Sequence, residues 1–380
     1  MDIWDKMSKL FLVVNVDWFF LSHRLPIALA AQKAGYEVTV IARDTGRRRE
    51  IESHQLQFID IPFDRSGSNP MHEIRCVLSL IGIYKKNKPD IIHHVTLKAV
   101  LLGCIAAKLA GCRRVVNAIS GFGYNFTAGR DGIKQKTVRN VMKLAFQSKH
   151  FHFIFQNPDD VRQFSGFQFV PEKNIHLIKG SGVDLNQFTY EKEIPKEKVR
   201  FILPARMLLD KGIVEFINAA KSIKEQVVCK AEFILAGDCD PINLAGISED
   251  ELKAMIDPPY IQWIGFQKEM FHIYKESDVV VLPSYREGLP KSLIEACAAG
   301  RPVITTDTQG CRECVVNGYN GYLVPVKNTQ KLAQYMELLT NDKEKREQMG
   351  KNARLLAEQE FSIDKVIESH LSIYNTILNS

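Results

Sequence analysis

Two glutamates, Glu287 and Glu295, lie eight positions apart in a segment that reads as a loop entering a helix. At about 3.6 residues per turn, eight positions are little more than two turns, so both carboxylates can face one ligand. A helix that begins near Pro290, after the permissive backbone of Gly288, aims unpaired N–H groups and a partial positive charge at an anion. The pattern suits a sugar nucleotide, with the diphosphate at the helix end and the carboxylates on sugar and ribose hydroxyls.

The flanking sequence places this pair where α/β proteins bind ligands. An apolar run at 277–283 predicts a buried parallel strand directly before the glutamates. After them the helix ends at Gly300, and the run at 302–305 predicts the next strand. Ligands of open α/β sheets bind at the carboxyl ends of such strands. This context favours a ligand site over the ordinary interpretation of two acids on a surface helix.

Length and composition indicate a globular protein of about two domains, since the chain has 380 residues, 45% of them hydrophobic and 25% charged. The eight cysteines lie mostly in apolar contexts, which is typical of buried thiols in a reducing compartment, so we expect a cytoplasmic protein. Cys311 and Cys314 form a C-x-x-C pair, but no second pair has the spacing of a zinc site. No metal is therefore expected there.

Basic residues are concentrated in the N-terminal half. Residues 1–190 hold 26 basic and 16 acidic residues, whereas the remainder holds 24 basic and 28 acidic ones. Such asymmetry indicates a polyanionic partner, and nucleic acid is the weaker candidate because no nucleic-acid-binding signature is found. An anionic membrane surface fits better. Basic clusters at 47–49, at 85–88 and in the predicted helix 134–146 can rest on lipid headgroups, although ordinary packing with a solvated basic face also explains that helix.

The chain reads as two successive series of alternating strands and helices. Alternation of this kind predicts parallel sheets with helices on both faces, and hence two Rossmann-like, doubly wound α/β domains. The charged segment at 191–198 has no apolar periodicity and reads as a linker. We expect an N-terminal domain at 1–190, a second domain at 191–361, and a final helix at 362–380 that crosses back to the first. The expected strands are 10–16, 37–42, 57–61, 91–95, 114–118, 151–156 and 175–179, then 200–204, 231–236, 261–264, 279–282, 302–305 and 321–324.

The C-terminal half carries short motifs in a characteristic order. These are Pro-Ala-Arg at 204–206, Asp-Lys-Gly at 210–212, Ala-Gly-Asp at 236–238, Trp-Ile-Gly-Phe at 263–266, the glutamate pair, Gly-Arg-Pro-Val-Ile at 300–304 and Asn-Gly-Tyr-Asn-Gly-Tyr-Leu-Val at 317–324. In order and spacing they resemble the retaining glycosyltransferases of the GT-B fold, in particular the GT4 family. The segments 17–24 and 94–98 look like the subgroup that extends polyprenyl-diphosphate-linked glycans for capsule, O-antigen or glycoprotein assembly.

The resemblance implies a GT-B architecture, in which two Rossmann-like domains face a deep interdomain cleft. It assigns Glu287 to the donor sugar and Glu295 to the ribose. Backbone N–H groups of Gly288, Leu289 and the neighbours of Pro290 are implied to help hold the sugar and phosphate, since proline itself has no N–H.

The resemblance also implies how the diphosphate is neutralised. Arg206 and Lys211, at the end of a predicted strand, would straddle the diphosphate and together replace a metal. We therefore expect no Asp-x-Asp cation site and no cofactor. Gly265 and Phe266 are implied to border the base, with core packing of Phe266 as the alternative. Gly182 is implied to lie beside the donor near the hinge.

Candidate contacts in the N-terminal half are less regular. Many GT4 members have a glycine-rich loop after the first strand, whereas this chain has the bulky segment 17–20. His23 and Arg24 are the candidates there, with a structural role as the alternative for His23. Some members place a functional histidine after the fourth strand; if His93 points inward, His94 or Lys98 is expected to reach the substrate.

Gly121 lies in Ser-Gly-Phe-Gly-Tyr at 120–124, which does not complete the dinucleotide fingerprint, so NAD binding is not expected. Its permissive backbone suits close approach to the acceptor or donor, with a plain tight turn as the alternative.

The expected activity is therefore that of a metal-independent, retaining glycosyltransferase. It would move a hexose or N-acetylhexosamine from a UDP-linked donor to a lipid-linked saccharide, at the inner face of the cell membrane. Two alternatives remain, a sugar-nucleotide epimerase with the same two-domain shell and a catalytically silent glycan-binding protein. An epimerase would convert the donor without an acceptor, and a silent protein would tolerate loss of Glu287.

Overall fold

The computed structural model describes residues 7–63, 70–121, 133–191, 196–240 and 243–379, with the backbone alone at 133–138. The chain forms two compact units, each with its own buried hydrophobic core. The first unit contains Met1–Ser181 and Lys365–Ser380, and the second contains Gly182–Asp364.

Seven parallel strands form the sheet of the first unit: β1 (Ser8–Val16), β2 (Tyr36–Arg43), β3 (Gln57–Asp60), β4 (Ile91–Val95), β5 (Val115–Ile119), β6 (Phe151–Phe155) and β7 (Ile175–Leu177). They lie in the order β3-β2-β1-β4-β5-β6-β7. The strands β4 and β5 are buried at every position, because helices cover both faces of the sheet. The strand order reverses between β1 and β4, and ligands of such sheets bind outside the carboxyl ends of the strands at that point.

The helices that connect these strands are α1 (Asp17–His23), α2 (Leu25–Lys33), α3 (Arg48–Ser53), α4 (Pro70–Asn87), α5 (Leu97–Ala110), α6 (Ile133–Phe146) and α7 (Pro158–Ser165). The end of α5 shows why its sequence stops a helix. Gly111 adopts φ +78°, and its N–H donates to the carbonyl oxygens of Ala107 and Lys108. Across the described ranges, no helix is both long enough and apolar enough to cross a bilayer.

Six parallel strands form the sheet of the second unit: β8 (Val199–Pro204), β9 (Ala231–Ala236), β10 (Ile261–Trp263), β11 (Val279–Leu282), β12 (Val303–Thr306) and β13 (Gly321–Val324). Their order is β10-β9-β8-β11-β12-β13, so the reversal lies between β8 and β11. The helices of this unit are α8 (Ile213–Ser222), α9 (Lys224–Val227), α10 (Glu249–Met255), α11 (Met270–Glu276), α12 (Lys291–Ala298), α13 (Thr329–Asn341) and α14 (Lys343–Glu360).

The last helix, α15 (Ile363–Leu378), packs on the first unit from Lys365 onward. Its Tyr374 hydroxyl lies 2.6 Å from Nδ1 of His93 on β4. Its Asn375 side chain accepts a hydrogen bond of 3.0 Å from the Tyr36 hydroxyl on β2. These contacts join the C-terminal segment of the chain to two central strands of the N-terminal sheet.

The expected α/β class and the pair of Rossmann-like units are confirmed. The expected series did not include α1, α3, α7 or α10, because helices of six to eight residues give little periodicity. The division between the units falls at Ser181–Gly182, before the charged segment 191–198. Residues 122–124 and 192–195, which belong to the expected turn and linker, lie outside the described residues.

Candidate functional site

Lys211 and Glu287 form an ion pair at the carboxyl edge of the second sheet. Lys211 ends a short 3₁₀ turn after β8, and Glu287 follows β11. Because β8 and β11 are hydrogen-bonded neighbours, the segments after them lie side by side. The Lys211 Nζ lies 2.5 Å from Oε1 of Glu287, and both side chains are largely buried. The structure thus brings together two candidates that are 76 positions apart in the sequence.

Glu287 holds the Lys211 ammonium in its charged form. Burial alone would lower the pKa of Lys211, but the charge and hydrogen bond of Glu287 outweigh this effect and raise the pKa above its usual value. Asp210 adds to the rise, whereas the positive charge of Arg206 opposes it. A partly desolvated ammonium interacts strongly with phosphate oxygens, because the field of a charge is stronger where water is excluded.

Backbone and hydroxyl contacts fix the segment that carries Glu287. The Tyr285 N–H donates to the carbonyl oxygen of Asp210 at 2.8 Å. The Tyr285 hydroxyl donates to Oε1 of Glu215 on α8 at 2.6 Å. The Glu287 N–H donates to the carbonyl oxygen of Gln309 at 3.3 Å. The carboxylate is therefore carried by backbone that is tied to the segments after β8 and β12.

Arg206 lies at the same edge, directly after β8. Its Nη1 donates to Oδ2 of Asp240 at 2.6 Å, and its side chain is 46% exposed. A guanidinium has five N–H donors, so this contact leaves others for a ligand. The expectation of no Asp-x-Asp sequence is wrong, because Asp238 and Asp240 form one. No group of three or more possible metal ligands was found among the described residues.

Helix α12 begins at Lys291, as the sequence predicts, with Pro290 as its N-cap residue. The cap makes no side-chain hydrogen bond, whereas its carbonyl oxygen accepts the N–H of Leu293 at 3.0 Å. Leu289, just before the helix, is buried. Gly288 lies next to it in the connection from β11.

Glu295 lies in the middle of α12 and is only 7% exposed. Burial raises its pKa, and the Lys291 ammonium, 3.4 Å from Oε1, opposes the rise. The Tyr274 hydroxyl lies 3.4 Å from Oε2. The carboxylate therefore has a defined orientation, which a group that binds ribose hydroxyls needs.

Gly265 and Phe266 follow β10 and border open space. Gly265 adopts φ +68°, and no heavy atom lies within 4 Å of the position that a Cβ would take. Phe266 is 65% exposed, so the alternative that it packs in the core is wrong. Gly182 differs, because a Cβ there would lie 2.7 Å from the Ile363 Cα. Close packing explains this glycine without a ligand.

His23 and Arg24 have different surroundings in the first unit. The half-buried His23 ring stacks on Phe19 with centroids 4.1 Å apart, and its Nδ1 lies 2.6 Å from the Ser22 hydroxyl. Arg24 is 2% exposed and donates to the carbonyl oxygen of His23 at 2.9 Å. Burial lowers the pKa of Arg24 to about 10. We therefore remove Arg24 from the proposed contact residues, because its guanidinium has almost no access to solvent.

His93 and His94 point to opposite faces of β4 and are both fully buried. His94 Nδ1 lies 2.8 Å from Oδ1 of Asn117, and its Nε2 lies 3.0 Å from the Tyr84 hydroxyl. Both ring nitrogens are thus engaged in the core. The expectation that His94 reaches the substrate is wrong. Helices cover both faces of the sheet, so His94 is buried even though it points away from His93.

Because several histidines are buried, we expect the free energy of unfolding to fall in mild acid. Burial lowers the pKa of His94 to about 4 and that of His370 to about 3, with the charge of Arg24 adding to the shift at His370. These values lie below the 6.5 of an unfolded histidine, so the unfolded chain binds more protons in this window. Stability that is present above pH 6.5 should fall towards pH 5, by up to about 1.4 kcal/mol per pH unit for each histidine.

Denaturant unfolding between pH 7.5 and pH 5, with the ring resonances of the histidines followed by NMR, measures this effect. Exposed histidine rings serve as the internal control. Flat stability across the window, or normal titration of His94 and His370, would contradict the prediction.

Three polar residues at the carboxyl edge of the first sheet were not among the expected candidates. They are Asn15 on β1, Thr96 after β4 and Ser120 after β5. Buried side-chain oxygens of all three lack a hydrogen-bond partner in the described part of the chain. The strand register sets the ends of β1, β4 and β5 side by side. Because an unsatisfied buried oxygen is costly, hydroxyl groups of a ligand or water are its natural partners. The sequence feature that marks these three residues is a polar side chain at or near the end of each apolar run.

Two expected residues lie close to these in the sequence. Lys98, in the first turn of α5, has its Nζ 2.6 Å from Oε1 of Glu73. Gly121 adopts φ +135°, a conformation that favours glycine. Contact of Lys98 or Gly121 with a substrate stays a prediction.

Each unit matches a known protein family. Residues 9–157 match the family described as Glycosyl transferase 4-like, and residues 186–356 match the family described as Glycosyl transferases group 1. The N,N'-diacetylbacillosaminyl-diphospho-undecaprenol alpha-1,3-N-acetylgalactosaminyltransferase of Campylobacter jejuni is 28% identical, over 95% of this chain and 99% of its own. The UDP-Gal:alpha-D-GlcNAc-diphosphoundecaprenol alpha-1,3-galactosyltransferase of Escherichia coli is 27% identical, over 89% of each chain.

A solved structure shares the fold of the whole chain. HepE from Anabaena, in complex with UDP and glucose, superposes with a TM-score of 0.76 at 19% identity. The match covers 96% of this chain and 98% of the HepE chain.

Proposed function

Because the chain is a GT4-like glycosyltransferase with the GT-B fold, we propose that it transfers a hexose or N-acetylhexosamine from a UDP-linked donor to a lipid-linked saccharide. The relatives from Campylobacter and Escherichia are named for diphosphoundecaprenol-linked sugars, and this chain covers most of their length. The proposed role is elongation of a cell-surface glycan, with retention at the anomeric carbon.

The second unit is proposed to hold the donor, and the observation that carries this is the Lys211–Glu287 pair at the sheet edge. Lys211 and Arg206 would neutralise the diphosphate, while Glu287 orients Lys211 and binds the donor sugar. Glu295 would hold the ribose. Phe266 offers an exposed aromatic surface beside β10 for the base.

The chemistry follows from where charge develops. As the bond between the anomeric carbon and the β-phosphate oxygen breaks, negative charge grows on the phosphate. Cations fixed in a partly desolvated site stabilise that charge without reorganising. The acceptor oxygen forms the new bond on the same face, and its proton passes to the departing phosphate. These groups supply the electrostatic stabilisation without a cofactor.

The first unit is proposed to bind the acceptor. Its polar residues at the ends of β1, β4 and β5, with Lys98 and Gly121 beside them, offer hydrogen-bonding groups for saccharide hydroxyls and phosphate. His23 contributes an imidazole on α1. Sugar discrimination depends on which of these groups each hydroxyl meets.

Transfer assays with radiolabelled UDP-sugars and a synthetic diphosphate-linked saccharide test the proposal. We expect one donor to give an acceptor-dependent product whose linkage retains the donor configuration by NMR. A new sugar isomer formed without acceptor would indicate an epimerase instead. Binding of a UDP-sugar without any transfer to the synthetic acceptor would favour a catalytically silent binding protein.

Peripheral attachment to an anionic membrane is proposed for the basic first unit. Lys85, Lys86 and Lys88 form one exposed cluster. The 47–49 cluster offers less charge than its sequence suggests, because Arg47 and Arg48 pair with glutamates on the same short helix. Binding to phosphatidylglycerol vesicles should weaken as salt rises from 0.1 to 1 M, since the screening length falls from about 10 to about 3 Å. Phosphatidylcholine vesicles are the control, and salt-independent binding would contradict the proposal.

A further inference from the structure

A large cationic cavity lies at the amino-terminal edge of the first sheet, opposite to the strand ends described above. Its volume is about 1130 Å³. It is lined by the connections that enter β4, β5, β6 and β7, and by the C-terminal part of α15. None of the residues proposed to bind donor or acceptor lines it.

The lining is strongly unbalanced in charge. Among the described lining residues, Asp90 contributes the one side-chain carboxylate, and its Oδ2 already accepts a hydrogen bond of 2.9 Å from the backbone N–H of Lys9. No ion pair with a carboxylate is found for any of the basic lining residues within the described parts of the chain. The basic residues are Lys85, Lys88, Arg113, Arg114, Lys149 and Lys173.

Helix dipoles explain only part of this arrangement. Lys85 lies in the last turn of α4, where a cation is favourable. Arg113, Lys149 and Lys173 lie outside the α-helices, in the connections between elements. Six positive charges around one cavity repel one another. A bound anion is attracted to each of them and offsets this repulsion.

His152 adds a neutral hydrogen-bonding group to the wall and contacts a second histidine, His176. His152 lines the cavity, and its Nδ1 lies 3.0 Å from Nε2 of His176. The two rings are stacked with centroids 5.3 Å apart. Burial, together with the charges of His176 and Lys173, lowers the pKa of His152 to about 4. A neutral imidazole pair beside lysines will respond measurably when an anion enters.

We propose that this cavity is a second anion site, which binds a ligand carrying more than one phosphate group. The cations come from four separate connections, so a ligand with several phosphates can contact more of them at once than a single phosphate can. The phosphates can belong to a soluble molecule or to a lipid headgroup. The site is independent of the proposed transfer reaction.

Titration with inorganic pyrophosphate tests the proposal on the full chain. Because the second unit is itself proposed to bind a diphosphate, the readout is local: ring resonances of His152 and His176 in a chain with 10 histidines. The double variant Lys149→Ala/Lys173→Ala removes two lining charges. The matched control Lys33→Ala/Lys365→Ala removes two exposed charges of the same unit that neither line the cavity nor belong to the clusters proposed to bind membrane.

In the wild type and the control, both histidines should shift on titration, and the midpoint should rise at least about tenfold in the Lys149→Ala/Lys173→Ala variant. Equal midpoints in the two double variants, or no shift in the wild type, would overturn the proposal.

A vesicle arm identifies the source of the phosphate. If lipid headgroups fill the cavity, pyrophosphate should compete with vesicles of cardiolipin, whose headgroup carries two phosphates, and the Lys149→Ala/Lys173→Ala variant alone should lose binding to these vesicles. If both double variants bind vesicles equally while pyrophosphate still shifts the two histidines, the ligand is a soluble phosphate compound. Vesicle binding without any pyrophosphate effect would mean a diffuse membrane-facing surface, and would overturn the cavity as a site.

Discussion

Replacing Lys211 with methionine should lower kcat/KM for sugar transfer by about 10²- to 10³-fold, as expected when a fixed group that stabilises transition-state charge is lost. The substitution keeps a long aliphatic chain but removes the ammonium that lies 2.5 Å from Glu287. The matched control is Lys221→Met, which removes an exposed lysine from α8 in the same unit. Steady-state kinetics on both variants measure the effect.

Glu287→Gln separates a structural role of this pair from a chemical one. It should lower turnover at least about a hundredfold, because the amide neither orients the lysine as a carboxylate does nor accepts from two sugar hydroxyls equally well. The double variant Lys211→Met/Glu287→Gln should regain part of the stability lost when Lys211→Met leaves a largely buried carboxylate unpaired. It should regain no activity. Activity close to wild type in Lys211→Met would exclude Lys211 from the site.

Gly310→Ala should damage the same site without removing any charged group. Gly310 adopts φ +76°, and a Cβ there would lie 2.4 Å from the carbonyl oxygen of Gly288 and 2.5 Å from that of Glu287. The segment that carries Glu287 must therefore shift. Because small displacements of catalytic groups are costly, we expect at least about a tenfold loss in kcat/KM and about 1–3 kcal/mol of stability.

Gly318→Ala is the matched control for backbone strain. Gly318 also has a positive φ, +80°, but no heavy atom lies within 4 Å of its Cβ position. This variant should lose about 1 kcal/mol of stability and keep its activity. Equal kinetics in the two glycine variants would contradict the proposed dependence of activity on the Glu287 segment.

The sequence predicts the positions of the candidate residues better in the second unit than in the first. An apolar run with a clear strand pattern precedes Lys211, and another precedes Glu287 and Glu295. Parallel strands bring the carboxyl ends of such runs to one edge of the sheet. The pairing of Lys211 with Glu287 could not be predicted, because it depends on β8 and β11 being neighbours.

Two candidates in the first unit, His94 and Arg24, are buried, and the sequence alone does not show this. His94 and Arg24 are polar residues beside apolar runs, which is compatible with either a binding residue or a buried, hydrogen-bonded one. Their burial depends on helices that pack against the sheet: α4 supplies the Tyr84 hydroxyl against His94, for example. Asn15, Thr96 and Ser120 were overlooked because single polar residues at strand ends are common, and only the register sets them side by side.

A crystal structure with bound UDP tests the central claim most directly. We predict diphosphate oxygens within hydrogen-bonding distance of Lys211 Nζ and the Arg206 guanidinium, with the start of α12 facing the phosphates and Glu295 on the ribose. UDP bound elsewhere, away from Lys211, Arg206 and Glu295, would contradict the account.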